Sequence, residues 1–142
     1  MRTVALAIFF SVELLAQTIP SNLNFESGTL GQVPSGWSMS SSVAGAGFQA
    51  ALVDQDCKQG ARCVMMSGPA SPPANSFGNL YQVVAAGSYL SRRISFRAAV
   101  RVEGVNTQAR LWFRVDRRGG GSSFLQNSPN ITSAQWNYYQ ID

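Results

Sequence analysis

The chain of 142 residues has a formal net charge of +4, with 13% charged and 45% hydrophobic residues. This length suits one domain, and the hydrophobic content excludes a disordered polar tail. Ten of the eleven basic residues are arginine, but no run of like charge exceeds two residues, so nucleic acid is not expected as a partner.

The first 16 residues have the pattern of a secretory signal peptide. Arg2 supplies the positive start, residues 4–10 form an uninterrupted apolar run, and cleavage is expected after Ala16 or within the next few residues, up to about residue 20. A permanent membrane anchor is not expected, because Pro20 and a polar stretch follow the apolar run. We therefore predict a secreted or periplasmic domain at 17–142 that does not contact the membrane after cleavage.

Beyond the signal peptide, short β-type runs alternate with clusters of Gly, Pro, Ser and Asn, and no stretch keeps the spacing of an amphipathic helix. The clearest strands are 93–103 and 109–116, and the turn at 104–108 predicts that they pair as an antiparallel hairpin. Further strands are predicted at 48–54, 62–67, 77–84, 123–126 and 136–141. The three glycines at 119–121 predict a flexible turn. The pattern predicts an all-β sandwich of about seven to eight strands.

Cys57 and Cys63 lie six residues apart in a segment of turn and strand character. An exported protein meets an oxidising compartment, so a local disulfide is the leading prediction. A redox CxxC motif is absent, and the lack of any histidine disfavours a zinc site.

Arginines occupy the outward positions of the predicted hairpin. Across an antiparallel pair, one face would present Arg93, Arg97, Arg101, Arg110, Trp112 and Arg114. An indole beside guanidinium groups can stack on a sugar while their donors take hydroxyls or carboxylates. The alternative is an ordinary solvated face, on which the arginines form cross-strand pairs with Glu103 and Asp116 and Trp112 is covered by a loop or by a missing segment.

Aromatic residues form a second group near the end of the chain. Trp136 and Tyr138 share one face of the last predicted strand, and Tyr139 lies on the other, so one side must be core. Trp37 follows a Pro-Ser-Gly turn in a segment, 33–37, that resembles one where bacterial jelly-roll domains bury a tryptophan, and the resemblance implies that Trp37 is buried.

The sequence offers little for catalysis. Without histidine, neither a Ser-His-Asp nor a Cys-His site can form. A hydrolase would need two facing carboxylates. Asp54 and Asp56, the nearest acidic pair, sit at a strand end beside the cysteine loop, where a solvated turn or a cation contact is expected.

Several segments resemble a known family. Residues 24–28, 33–37 and 60–66 resemble the start of bacterial carbohydrate-binding-module-like jelly rolls of the galactose-binding-domain type. Residues 77–117 look closer still to the N-terminal accessory domain found ahead of tail-specific-protease-like peptidase domains in secreted bacterial proteins.

The resemblance implies a jelly-roll fold and a binding or accessory role. Such relatives continue past the equivalent of residues 140–142 into further strands, so we expect a C-terminally truncated domain that lacks the peptidase. Glu26 stands where calcium-binding relatives supply a ligand, and a structural calcium is the one cofactor the resemblance suggests.

The leading functional prediction is a non-catalytic module that binds carbohydrate, cell-envelope glycan or a small molecule. The residues predicted to contact the ligand are Arg97, Arg101, Arg110, Trp112 and Arg114. The alternative is an accessory domain that docks on a downstream hydrolase or peptidase domain. A hydrolase using two acids is the least favoured class.

Overall fold

The computed structural model describes residues 19–142, so the predicted signal peptide lies outside the described residues. Its strands are β1 Gln49–Val53, β2 Cys63–Ser67, β3 Phe96–Val100, β4 Trp112–Asp116, β5 Ser122–Asn127 and β6 Asn137–Ile141. The helical segments in this part of the chain are α1 Ser41–Gly45 and a 3₁₀ turn at Ala86–Tyr89. The domain is therefore all-β, as the sequence predicts.

The strands form three antiparallel pairs, β1 with β2, β3 with β6 and β4 with β5. The predicted hairpin between 93–103 and 109–116 is wrong. Both flanks of the turn at 104–108 bond instead to the segment at 128–133: Val102 N donates to Ser133 O at 2.8 Å, and Ala109 N donates to Ile131 O at 3.0 Å. Segment 128–133 therefore lies between the two predicted strands, and each of them pairs elsewhere: β3 with β6 and β4 with β5.

The hairpin that does form is β4–β5, joined by the glycine turn. Arg117 N donates to Gly121 O at 3.0 Å, and Gly120 N donates to Arg117 O at 3.1 Å. All three glycines have positive φ, a conformation that residues with a Cβ rarely adopt. The prediction of a turn at 119–121 is confirmed.

The predicted strand at 77–84 is also wrong. Ser38 and Tyr81 exchange two backbone hydrogen bonds of 2.9 Å in an isolated bridge. The partner segment turns into α1 immediately afterwards, with the Ser40 hydroxyl accepting from Val43 N. Because the chain beyond Ser38 becomes helical, the bridge between Ser38 and Tyr81 does not extend into a longer strand pair.

The main hydrophobic core lies between the β3–β6 and β4–β5 pairs. Its buried members are Val102, Leu111, Ile131 and Ile141, and Phe96, Ala98, Val100, Ala109, Phe113 and Tyr139 pack against them. The inward positions of β3 are therefore those that the alternating pattern predicts. Burial of this apolar set is the main favourable term for folding.

The disulfide between Cys57 and Cys63 is confirmed, with the two Cα atoms 5.4 Å apart. It closes a loop that a second contact ties to the N-terminal segment, because Glu26 Oε1 accepts from Ala61 N at 2.9 Å and Arg62 N at 3.3 Å. The Arg62 guanidinium returns the contact by donating to Gly28 O at 2.9 Å. These contacts give the loop a fixed position relative to the N-terminal segment.

Among residues 19–142, no helix is long and apolar enough to cross a lipid bilayer.

Candidate functional site

The pairing of β3 with β6 brings two arginines and two aromatic residues onto one exposed sheet face. In the ladder, Ala99 is opposite Tyr138 and Arg97 is opposite Gln140. One step beyond the Val100–Asn137 pair, Arg101 lies beside Trp136. Side chains two residues apart in a strand share a face. We call the set Arg97, Arg101, Trp136 and Tyr138 the arginine–aromatic face.

Arg97 stacks on Tyr138, with its guanidinium carbon 4.1 Å from the ring centroid. The Tyr138 residue is 48% exposed, so the pair lies at the protein surface. A guanidinium over an aromatic ring contributes about 0.5–1 kcal/mol at an exposed site. The stacking fixes the plane of the Arg97 group and leaves its N–H donors to point sideways toward solvent.

Arg101 lies at the other end of the face and has more contacts than Arg97. Its guanidinium carbon is 5.2 Å from the Trp136 ring centroid, and its Nη2 is 3.0 Å from Glu103 Oε1 and 3.6 Å from Asp56 Oδ2. The Arg101 side chain is only 28% exposed. Two carboxylates therefore face the single charge of this arginine, whereas Arg97 has no ion pair in the described part of the chain.

The disulfide loop braces this end of the face. Trp136 Nε1 donates to the backbone oxygen of Asp56 at 3.0 Å, and Asp56 immediately precedes Cys57. The loop thus contacts Trp136 through its backbone and Arg101 through its side chain. The expected cation contact of Asp56 is found, and its cation is Arg101.

The remaining predicted site residues lie on other surfaces. Because β3 and β4 belong to different ladders but both turn hydrophobic side chains to the same core, their arginines point away from that core on separate faces. The prediction of a single face is therefore wrong. Arg97 and Arg101 do not lie across a strand pair from the other predicted residues, which are Arg110, Trp112 and Arg114.

That second group is tied to its own neighbours. Arg114 donates to Asp116 Oδ2 through Nε at 3.1 Å and Nη2 at 2.8 Å, and its guanidinium is 6.0 Å from the Trp112 ring centroid. Arg110 Nε donates to Asn130 Oδ1. Arg114 therefore pairs with Asp116 on a solvated surface, as in the alternative interpretation, but the pair lies within β4 and not across two strands.

The sequence placed Trp136 and Tyr138 on one face but did not connect them to the arginines. The missing information was the strand partner, because alternation gives the face of a side chain and not the strand across from it. Tyr139 packs against the core, so it is the Tyr139 side of the last strand that faces inward, a choice that the sequence left open. Trp37 is half-buried rather than fully buried: its ring lies 5.1 Å from that of Phe25, and its Nε1 donates to Asn22 O at 3.1 Å.

Glu26, the residue predicted to bind calcium, uses one carboxylate oxygen to accept the two backbone N–H groups of the disulfide loop. Within residues 19–142, no group of three or more His, Cys, Asp or Glu side chains is placed to hold a metal ion. In this structure Glu26 has a bracing role between the N-terminal segment and β2.

An apolar groove of about 450 Å³ opens between the ends of the two strand pairs. Phe113 and Phe124 meet edge to face on its wall, with their centroids 6.4 Å apart. Leu90, which is 72% exposed, lines the rim together with Arg93. The groove and the arginine–aromatic face are two exposed surfaces on which a partner could be received.

No family model, curated protein or solved structure matches the chain. The fold and the geometry of these surfaces are therefore the basis for a functional assignment.

Proposed function

We propose that the chain is an exported, non-catalytic ligand-binding module of the jelly-roll, galactose-binding-domain type, and that its ligand is a glycan bound at the arginine–aromatic face. The observation that carries the proposal is the pair of guanidinium groups stacked on two aromatic rings along one exposed sheet face. Such groups offer hydrogen-bond donors held in a fixed orientation, which the hydroxyl and carboxylate oxygens of sugars can accept.

Export is proposed on the predicted signal peptide and agrees with the disulfide. The absence of histidine from the whole sequence supports a binding role over catalysis.

Affinity electrophoresis in gels containing a panel of soluble polysaccharides tests the proposal. Tyr138→Ala is expected to weaken binding about fivefold. It removes the ring on which the Arg97 guanidinium stacks, and that stacking contributes about 1 kcal/mol. Trp112→Ala serves as the matched control, because Trp112 lies on the outward face of β4, and it should leave binding unchanged.

The reverse result, with Trp112→Ala weakening binding and Tyr138→Ala silent, would move the site to β4. Retardation by no polysaccharide in the panel would overturn the proposed function. Circular dichroism of each variant confirms that the fold is retained.

A second candidate function is an accessory domain that docks on a hydrolase or peptidase domain outside this chain. The apolar groove favours it, because an exposed apolar surface of this kind is typical of a protein interface. Leu90 and Phe124, both exposed, would be covered by a partner in this arrangement.

Dye binding distinguishes this candidate. The isolated chain is expected to enhance the fluorescence of 8-anilinonaphthalene-1-sulfonate, and Leu90→Ser should reduce that signal by about half without destabilising the fold, because Leu90 is already exposed. Leu23→Ser, at a residue 60% exposed and outside the groove, is the control. Equal signals from both variants would count against the groove as an interface.

A further inference from the structure

The arginine–aromatic face has two chemically different ends. Arg97 and Arg101 are four residues apart on β3 and its extension, which separates their Cα atoms by about 13 Å along an extended strand. The Arg97 end carries a cation without an ion pair in the described residues, whereas at the Arg101 end two carboxylates, Glu103 and Asp56, surround one cation and leave an excess of negative charge. This difference restricts the ligands that fit the face.

At the Arg97 end, Tyr138 is a support for the guanidinium rather than an open stacking platform. The distance of 4.1 Å places the guanidinium in contact with the ring. The donors in the guanidinium plane remain available, because no hydrogen bond from Arg97 to another described residue forms. A planar fork of donors that is already held in place matches a carboxylate, which it can bind through two parallel hydrogen bonds.

Gln140, opposite Arg97 in the ladder, uses its amide to donate to Asp142 Oδ1 at 2.9 Å. Asp142 makes no ion pair with Arg97 in this part of the structure. The Asp142 carboxylate therefore accepts from Gln140 and does not occupy the N–H donors of Arg97.

At the Arg101 end, the outermost groups are acceptors. The Glu103 and Asp56 side chains are 71% and 79% exposed, so their carboxylate oxygens are open to a ligand. They repel a second anion but can accept hydrogen bonds from hydroxyl groups. A uniformly charged polyanion would meet attraction at one end of the face and repulsion at the other.

We infer that the ligand is an acidic glycan in which each carboxylate-bearing sugar is followed by two or more neutral sugars, with the carboxylate bound by Arg97 and neutral hydroxyls facing Glu103 and Asp56. The juxtaposition of a ring-supported guanidinium that has no ion pair with an acceptor-rich end, at strand positions about 13 Å apart, carries this assignment, which rests on the proposed glycan-binding function.

Three probes test it by titration calorimetry on the intact domain: gellan oligosaccharides, in which one glucuronate is followed by three neutral sugars, the same oligosaccharides with methyl-esterified carboxyls, and dextran sulfate. Gellan is expected to bind, and esterification should weaken binding at least tenfold. Arg97→Lys keeps the charge but removes the fork, and it should weaken gellan binding about tenfold. Arg118→Lys, at an exposed arginine of the β4–β5 turn, is the matched control and should have no effect.

The outcomes separate the inference from the proposed function. If the ester binds as tightly as the acid, the acidic ligand is refuted, although the glycan-binding function stands. If dextran sulfate binds more tightly than gellan and Arg97→Lys changes nothing, charge attraction alone accounts for binding and the carboxylate site is refuted. If these probes and every neutral polysaccharide of the gel panel fail to bind, the proposed function falls as well.

Discussion

Gly60→Ala is expected to lower the free energy of unfolding by about 3 kcal/mol, against about 1 kcal/mol for Gly31→Ala. Both glycines have φ near +80°, which a residue with a Cβ adopts only with strain. The two sites differ in their surroundings: a Cβ at Gly31 meets nothing within 4 Å, whereas one at Gly60 overlaps Glu26 Oε1. The Glu26 side chain would have to move and give up its hydrogen bonds to Ala61 and Arg62.

Chemical denaturation of the two variants measures the difference, and a double-mutant cycle identifies its cause. In a Glu26→Ala background the extra cost of Gly60→Ala should vanish, so that both glycine substitutions cost the same. Equal costs for the two substitutions in the unmodified chain would show that Glu26 does not brace the disulfide loop.

The double substitution Cys57→Ser with Cys63→Ser is expected to lower the free energy of unfolding by about 2 kcal/mol, the chain-entropy value for so short a loop. It should also weaken glycan binding several-fold. The loop holds Trp136 through the Asp56 backbone oxygen and Arg101 through the Asp56 carboxylate, so releasing it loosens one end of the arginine–aromatic face.

Trp136→Phe separates the two effects. This substitution keeps an aromatic ring under Arg101 but removes the Nε1 donor, so it should cost about 1 kcal/mol of stability while still weakening binding. Loss of stability with full binding in the serine variant would mean that the loop stabilises the domain without positioning the face.

The features that the sequence predicted well are those set by short stretches of chain. β1, β2, β5 and β6 lie within a residue or two of their predicted positions, and the disulfide follows from the spacing of two cysteines. In β3, the alternation of Phe96, Ala98 and Val100 with Arg97 gave the correct inward and outward faces. Local periodicity carries this information directly.

Pairing across long separations was not predictable in the same way. The turn at 104–108 favoured a hairpin, and no local signal indicated that Val102 would bond to Ser133 and Ala109 to Ile131. The composition of the site changes as a result. Arg97 and Arg101 were predicted beside Trp112, but they lie beside Tyr138 and Trp136, which follow these arginines by about 40 residues in the chain. The choice of strand partner depends on the whole core and not on the turn alone.

The pairing of β3 with β6 underlies the arginine–aromatic face, and cross-strand nuclear Overhauser effects between backbone protons test it most directly. In a labelled sample, protons of Phe96–Val100 should show contacts to Asn137–Ile141 in the register that places Ala98 opposite Tyr139. Contacts from Phe96–Val100 to Trp112–Asp116 instead would restore the hairpin, separate the arginines from Tyr138 and Trp136, and contradict the proposed site.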